Sequence, residues 1–359
     1  MKNCISKFLL IICTFVIFSS SAYALSQNLR ISLLTQEPGD ELYAYFGHTA
    51  IRVTDDSLFI DQVYNYGTFD FNTPNFYTRF IKGDLDYCLS IDDYDYFVYA
   101  SKESCRTIYE QEMNLSYEEK YNLVMLLEKC YNSSARYYRY DFLRNNCATK
   151  IRDIIEEATN NRIDFGEAKF GGQTFRQLLK PYVSKNYWIN LGINLVMGME
   201  ADKDANPADY MFLPYYIHYY FEDSDHTGKS EILLDASPEK KSGFNFSYLL
   251  PWIIVVVLCG LSFWKKTQKF VLYFVSSVFS LFGLLILSLG IYSIHPALGH
   301  NMNILWTIPA LLILIVRHEK TGTFVRYIYS AIIILIFINW FWLPQEMSPT
   351  FLPWMICML

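Results

Sequence analysis

The sequence predicts an α+β soluble domain followed by an α-helical membrane domain, and three observations carry that. Hydropathy breaks near residue 243: residues 25–243 are mixed, acidic and rich in tyrosine, whereas residues 244–359 are mostly apolar. This lifts the mean hydropathy of the 359-residue chain to +0.12. "YFGHTAIRV" (Tyr45–Val53) alternates in character from His48 onward, the period of a strand with one buried face. "CATKIRDIIEEA" (Cys147–Ala158) repeats isoleucine at 151, 154 and 155, the period of an amphipathic helix.

The N-terminus reads as a secretion signal over residues 1–24. Lys2 and Lys7 form a positive start, Phe8–Phe18 is apolar, and Ala22-Tyr23-Ala24 offers a small-x-small cleavage site. An uncleaved anchor is the alternative. Cys13 lies inside the apolar run without the context of a lipidation site. The soluble domain then covers residues 25–243, long enough to bury its own core. The membrane domain covers 244–359.

Within the membrane domain, apolar stretches at Tyr248–Trp264, Phe270–Tyr292, Met302–Val316 and Tyr327–Leu343 approach the ~20 residues a spanning helix needs. The third is short and can begin near Ala297. The count is four spans, or five if the apolar tail Thr350–Leu359 also crosses; its length suits the interface better. Lys265, Lys266 and Lys269 follow the first span, and Arg317, Lys320 and Arg326 follow the third, while the loop Ser293–Asn301 has no Lys or Arg. Basic loops stay in the cytoplasm, so the soluble domain is expected on the other side, in agreement with the signal.

Several function classes drop out. The net charge is −6, with no basic stripe interleaved with aromatics, so no nucleic-acid partner is expected. There is no Walker motif and no glycine-rich dinucleotide fingerprint, and no CxxC pair suggests zinc. No cofactor and no metal are expected. The acidic run Asp84–Asp95 alternates with Tyr and Leu and reads as a strand with a solvated face before a calcium loop.

The soluble domain holds Cys88, Cys105, Cys130 and Cys147. Outside the cytoplasm an even set can form disulfides, with Cys88–Cys105 the more plausible pair. For Cys147 a second reading competes. It follows Asn146, a good N-cap, and so sits in the first turn of a helix. There the dipole and the free N–H groups favour a thiolate, the form that attacks, and the same N–H groups can hold an oxyanion.

A thiol nucleophile wants a base. His218 and His226 lie late in the domain, in tyrosine-rich and polar stretches. His48 stands at the start of the alternating run. A turn at Asp55-Asp56-Ser57 leads to a second strand, Leu58–Tyr66, which makes a hairpin and sets residue 48 opposite residues 63–65. Asn65 or Asp61, on one face of that strand, then orients the imidazole as the third group of a Cys-His-polar triad. Tyr64 and Tyr66 are candidates to wall the site or to bind substrate. The loop containing Gly67 and Pro74 is either part of the site or a structural turn. A lone histidine is otherwise a packed or solvated one.

The stretches "FGHTAIRV", "VYNYGTFDF", "YRYDFLRNNCATKIRDII", "TFRQLL" and "MFLP" resemble the N-terminal domain of the Lnb family, bacterial lipoprotein N-acyltransferases of the inner membrane. The resemblance extends to "IHPALGHNMNILW" in the membrane part. The order of histidine first and asparagine-cysteine later also resembles circularly permuted papain-like folds, including the lecithin:retinol acyltransferase and NlpC/P60-like groups. The resemblance implies a permuted papain-like periplasmic domain with His48 and Cys147 as catalytic residues. It implies a phospholipid acyl donor and, as acceptor, the α-amino group of the lipidated N-terminal cysteine of a lipoprotein. Two further readings stand beside it: a membrane-anchored cysteine peptidase or amidase acting on cell-wall peptides, and a non-catalytic membrane sensor.

The expected chemistry is a two-step transfer through a Cys147 thioester, with no nucleotide needed. The 293–301 loop, on the side of the soluble domain, adds candidate binding residues: His295 and Asn303, with His300 and Asn301 beside them. Asn146 is a candidate as well, and Arg176 and Trp188 are candidate lipid contacts. A solvated turn is the alternative for the loop residues, and packing or interface roles are the alternative for Arg176 and Trp188.

Overall fold

The computed structural model describes residues 25–222, 224–236, 246–312 and 319–358; the signal segment 1–24 and the junction 237–245 lie outside them. The soluble domain is built on a seven-stranded antiparallel sheet. Its strands are β1 Arg30–Gln36, β2 His48–Asp55, β3 Ile60–Thr68, β4 Asp86–Asp93, β5 Ile108–Glu112, β6 Tyr137–Arg139 and β7 Glu231–Leu234, in the spatial order β6-β4-β3-β2-β1-β5-β7. The helices are α1 Phe76–Lys82, α2 Tyr94–Glu103, α3 Tyr117–Tyr131, α4 Cys147–Ala158, α5 Phe175–Val183, α6 Tyr187–Val196 and α7 Pro214–Glu222.

Alternation along the strands separates two cores. Ile31, Leu33, Ile51, Val53, Tyr64 and Tyr66 face α3 and α4, where Leu123, Leu127, Ile151 and Ile155 are fully buried. Leu34, Ala50, Val63 and Ile108 face the other way, toward Phe97 of α2. The acidic run forms β4, and Asp84 and Asp86 at its start pair with Lys82, Arg79 and Arg139. The helix predicted from the isoleucine spacing is α4.

The β2–β3 hairpin forms with a later turn than the sequence predicts. The chain reverses through residues 56–59, where Phe59 takes a positive φ of 55°, so β3 starts at Ile60 and pairs as Ile51↔Tyr64 and Thr54↔Asp61. Carried on, that register sets His48 opposite Gly67 rather than opposite residues 63–65, and Asn65 becomes its diagonal neighbour on the same face.

The membrane part contains α8 Leu250–Ser262, α9 Gln268–Tyr292, α10 Glu319–Ile338 and α11 Leu352–Cys357. Among the described residues, α9, with 25 residues, is the helix long and apolar enough to cross a membrane on its own. The predicted third span departs from expectation. Residues 302–305 and 309–312 form short 3-10 turns, and 313–316 lie outside the described residues. Pro309 has no N–H to donate and breaks the helix there. The C-terminal tail folds back: Phe351 and Met355 are fully buried beside Trp306 and Ile333.

The loop 293–301 is docked on the soluble domain. The Ile294 N–H donates to the Lys82 carbonyl at 2.8 Å, the Gly198 N–H to Ala297 at 2.8 Å, and the Asn301 amide to Leu195 and Val196 at 2.8 and 2.9 Å. At Gly198 the backbones touch, since a Cβ there would lie 1.9 Å from the Gly299 carbonyl oxygen. A straight α9 is about 37 Å long at 1.5 Å per residue. Lys265, Lys266 and Lys269 therefore sit at the end of α9 far from the soluble domain.

Candidate active site

Asn146 prepares the position of Cys147. With φ −117° and ψ −173° it caps α4: its Oδ1 accepts the Thr149 N–H at 2.9 Å, and the Thr149 hydroxyl accepts the Asn146 N–H at 2.8 Å. Its Nδ2 donates to the carbonyls of Phe142 and Phe212, both at 2.8 Å. Cys147 follows as the first helical residue. The backbone N–H groups of Thr49, Ala148 and Cys147 itself act on the thiol and favour its charged form, which places it near the peptide that joins His48 to Thr49.

His48 is the first residue of β2. Its Nε2 lies 3.0 Å from Asn65 Oδ1. The Asn65 amide is oriented from behind, because its Nδ2 donates to Asp92 Oδ2 at 2.8 Å. A carboxylate only accepts, so Asn65 presents Oδ1 to the imidazole and Nε2 carries the proton. Nδ1 is left with the lone pair, as a general base requires. Asp61, the other candidate orienter, is engaged elsewhere: its carboxylate is held by Arg52 at 2.7 and 2.8 Å, and Arg52 also bonds Glu110 and lies over the Tyr94 ring.

The electrostatics correct the expectation of a low thiol pKa. Burial pushes the Cys147 thiol up, and the three N–H groups and the Arg106 guanidinium offset it only partly. Burial, with the Arg106 charge adding to it, brings His48 down to about 4, against the Asn65 hydrogen bond. The resting pair is therefore a neutral thiol and a neutral imidazole. Burial raises Asp92 as well, with its hydrogen bond from Asn65 opposing the rise.

Three more groups surround the sulfur. Gly67 adopts φ +94° in a bulge between Tyr66 and Thr68, and a Cβ there would sit 3.3 Å from Cys147 Cβ. Tyr138 is buried with its hydroxyl unpartnered, and Tyr140, stacked on Tyr87 at 4.4 Å, is partly buried beside it. Burial raises the pKa of both phenols, and charge on Cys147 raises it further. Arg106 was missed by sequence reasoning. It reaches the site through the lateral order β2-β1-β5, which no local spacing encodes.

Two family models match this chain. That of the Lnb N-terminal periplasmic domain matches residues 20–181, and that of the Lnb transmembrane domain matches residues 241–359. The chain belongs to the Lnb family. No curated protein and no solved structure matches it. The Lnb periplasmic model thus covers His48, Asn65, Arg106 and Cys147, and the protein is a membrane protein with a periplasmic domain.

The other predicted residues of this Lnb protein have partners of their own. Tyr64 and Tyr66 project from the opposite face of β3 to Asn65; the Tyr64 hydroxyl donates to Glu128 at 2.5 Å and the Tyr66 hydroxyl to Cys130 Sγ at 3.5 Å, both on α3. Asn146 is spent on the cap and two carbonyls, with no group left for a ligand. Asn303 is fully buried. Its amide donates to the Asn194 and Leu195 carbonyls and accepts from Trp306 Nε1, so it fastens the membrane part to α6. Arg176 is equally enclosed, bonded to Asp202, Asn194 and the carbonyls of Met197 and Gly198. His295 is at the junction, 3.3 Å from the Phe80 carbonyl and 3.8 Å from Asp141, lining a small cavity with Tyr87 and Tyr140. Trp188 is half-exposed near Trp354. Cys88, Cys105 and Cys130 are free thiols, as is Cys147, so the Cys88–Cys105 bridge is not formed in this structure.

Proposed function

We propose that this Lnb-family protein is a lipoprotein N-acyltransferase that works through a Cys147 thioester. The observation that carries the reading is the Cys147, His48 and Asn65 set at one end of the sheet, in a chain that also has a transmembrane domain. His48 Nδ1 takes the thiol proton as Sγ attacks the ester carbonyl of a membrane phospholipid. The N–H groups at the head of α4 stabilise the oxyanion. Collapse breaks the ester C–O bond, and His48 returns the proton to the leaving alkoxide, giving a lysophospholipid. The α-amino group of a lipidated N-terminal cysteine then attacks the thioester. The C–S bond breaks, an amide forms, and the amine proton passes through His48 to the thiolate. Both substrates are anchored in one leaflet, which supports a bacterial inner-membrane location with the catalytic domain held against the outer leaflet.

Mass spectrometry of lipoprotein N-termini tests this. Cells lacking the protein should show lipoproteins without the N-linked acyl chain, restored by the wild-type chain and not by Cys147→Ala. Unchanged N-acylation in the deleted strain, or full complementation by Cys147→Ala, would overturn the reading. Accumulation of uncut cell-wall peptides with intact N-acylation would favour a peptidase.

A further inference from the structure

Arg106 lies two residues ahead of Ile108, and Ile108 pairs with Gln36 of β1, which pairs in turn with His48 of β2. Three neighbouring strands thus bring Arg106 and His48 to the end of the sheet where α4 delivers Cys147. The arginine is 8% exposed. Its Nε donates to the Glu37 carbonyl at 2.9 Å, and its stem fills the space beside Gly39, where a Cβ would approach Arg106 Cδ to 3.1 Å. Nη2 is buried with no hydrogen-bond partner, and no ion pair to a carboxylate is formed by this arginine among the described residues.

A buried guanidinium without a counter-ion costs several kcal/mol unless negative charge meets it. Burial brings Arg106 down to about 10, so it stays charged at neutral pH. The ionisable groups that act on it are Cys147 and Tyr43, and it acts in turn on His48. Those facing Cys147 are Arg106, Tyr138 and Tyr140; Lys150, on the next turn of α4, lies over the Tyr138 ring at 4.9 Å. A position this enclosed suits charge that develops on a neighbouring atom better than a bulky phosphate.

We propose that Arg106 is the counter-charge of the Cys147 thiolate: its guanidinium, with Nη2 unpartnered, stabilises the negative charge that the sulfur acquires when His48 takes its proton. The inference rests on Cys147 being the nucleophile and is indifferent to the acyl donor. Arg106 is in this role a positioning residue.

The test is the pH dependence of Cys147 alkylation by iodoacetamide in the full chain in detergent, without lipid, read on the Cys147 peptide by mass spectrometry. Arg106→Gln should move the midpoint upward by about one pH unit, which is ~10-fold less thiolate at a fixed pH below it. Arg106→Lys, which keeps the charge, should stay closer to the wild type. A folded Arg106→Gln variant with the wild-type midpoint overturns the proposal. Should that variant not fold, the wild type itself decides. Iodoacetate should gain on iodoacetamide at Cys147 relative to a small free thiol, and a ratio no higher than the free thiol's overturns the proposal. Neither readout involves acyl transfer, so a failure here is separate from a failure of the lipoprotein experiment.

Discussion

Asn65→Ala probes the site at its least redundant point. Asn65 is 5% exposed and makes one hydrogen bond to His48, at 3.0 Å, and one to Asp92, at 2.8 Å. Truncation leaves a partly buried imidazole N–H and a partly buried carboxylate without these partners. Each such loss costs about 1–3 kcal/mol, so the stability loss should be ~2–5 kcal/mol before water enters the space. The effect on rate has a different origin. Without Oδ1 the imidazole is free to place its proton on Nδ1, the atom that receives the thiol proton in the proposed mechanism. At ~1.5–3 kcal/mol for that preference, the thioester should form about 10–100 times more slowly. Intact-mass spectrometry of the full chain incubated with phosphatidylethanolamine vesicles reads the acyl-enzyme directly. Asp61→Ala is the matched control: it removes a half-exposed ion pair with Arg52, worth ~0–1 kcal/mol, and should leave the rate unchanged. A folded Asn65→Ala protein that acylates at the wild-type rate, or an Asp61→Ala protein that is the slower of the two, would refute the assignment of Asn65 as orienter.

Two further outcomes follow from the same geometry. Gly67→Ala combines a positive φ of 94° with a Cβ 3.3 Å from Cys147 Cβ, so it should cost about 1–3 kcal/mol and displace the nucleophile; thermal unfolding and acyl-enzyme formation should both fall. Stability should also drop in acid through His48. Its pKa is about 4 folded and near 6.5 unfolded, so the unfolded chain binds the proton first; the stability gained from a neutral His48 is full above pH 6.5 and is lost as pH falls toward 4. At about 1.4 kcal/mol per pKa unit this is ~3.5 kcal/mol. His218 and His226, also lowered, add to the same limb, whereas the raised Asp92 and Glu156 oppose it. Denaturation at pH 7 and pH 4.5, with His48→Gln as comparison, isolates the contribution; equal pH dependence in the two proteins would contradict a buried neutral His48.

What the sequence reveals and what it hides divide along the range of the forces involved. The hydropathy break, the alternation after His48 and the cap at Asn146 are local patterns, and each reappears as an element: the membrane part, β2 and α4. The hairpin alone narrowed the orienter to Asn65 or Asp61, because the two share a face; only the true register, one turn longer, separates them. Arg106 and Asp92 come to His48 from strands on either side of the β2–β3 pair, and nothing in their neighbourhoods in the chain marks them. Asn303 and Arg176 looked like surface polar residues available to lipid, yet their polar atoms are consumed by backbone carbonyls where α6 meets the membrane part.

The thiol shows why position in the chain does not settle chemistry. A helix N-terminus stabilises an anion by about 0.3–1 kcal/mol, reaching ~2 kcal/mol when partly buried. Full burial of an ionisable group opposes ionisation by up to ~3–5 pKa units, several kcal/mol. Cys147 is partly buried, desolvation is the largest influence on it, and its thiol pKa is raised despite the favourable helix. The same burial keeps His48 neutral and able to accept a proton, and leaves Arg106 charged with no carboxylate partner among the described residues. In the proposed mechanism, proton transfer from sulfur to imidazole creates a thiolate beside the Arg106 cation and an imidazolium held by Asn65. In this arrangement the low-dielectric site suppresses the thiolate at rest and strengthens every interaction that stabilises it once formed.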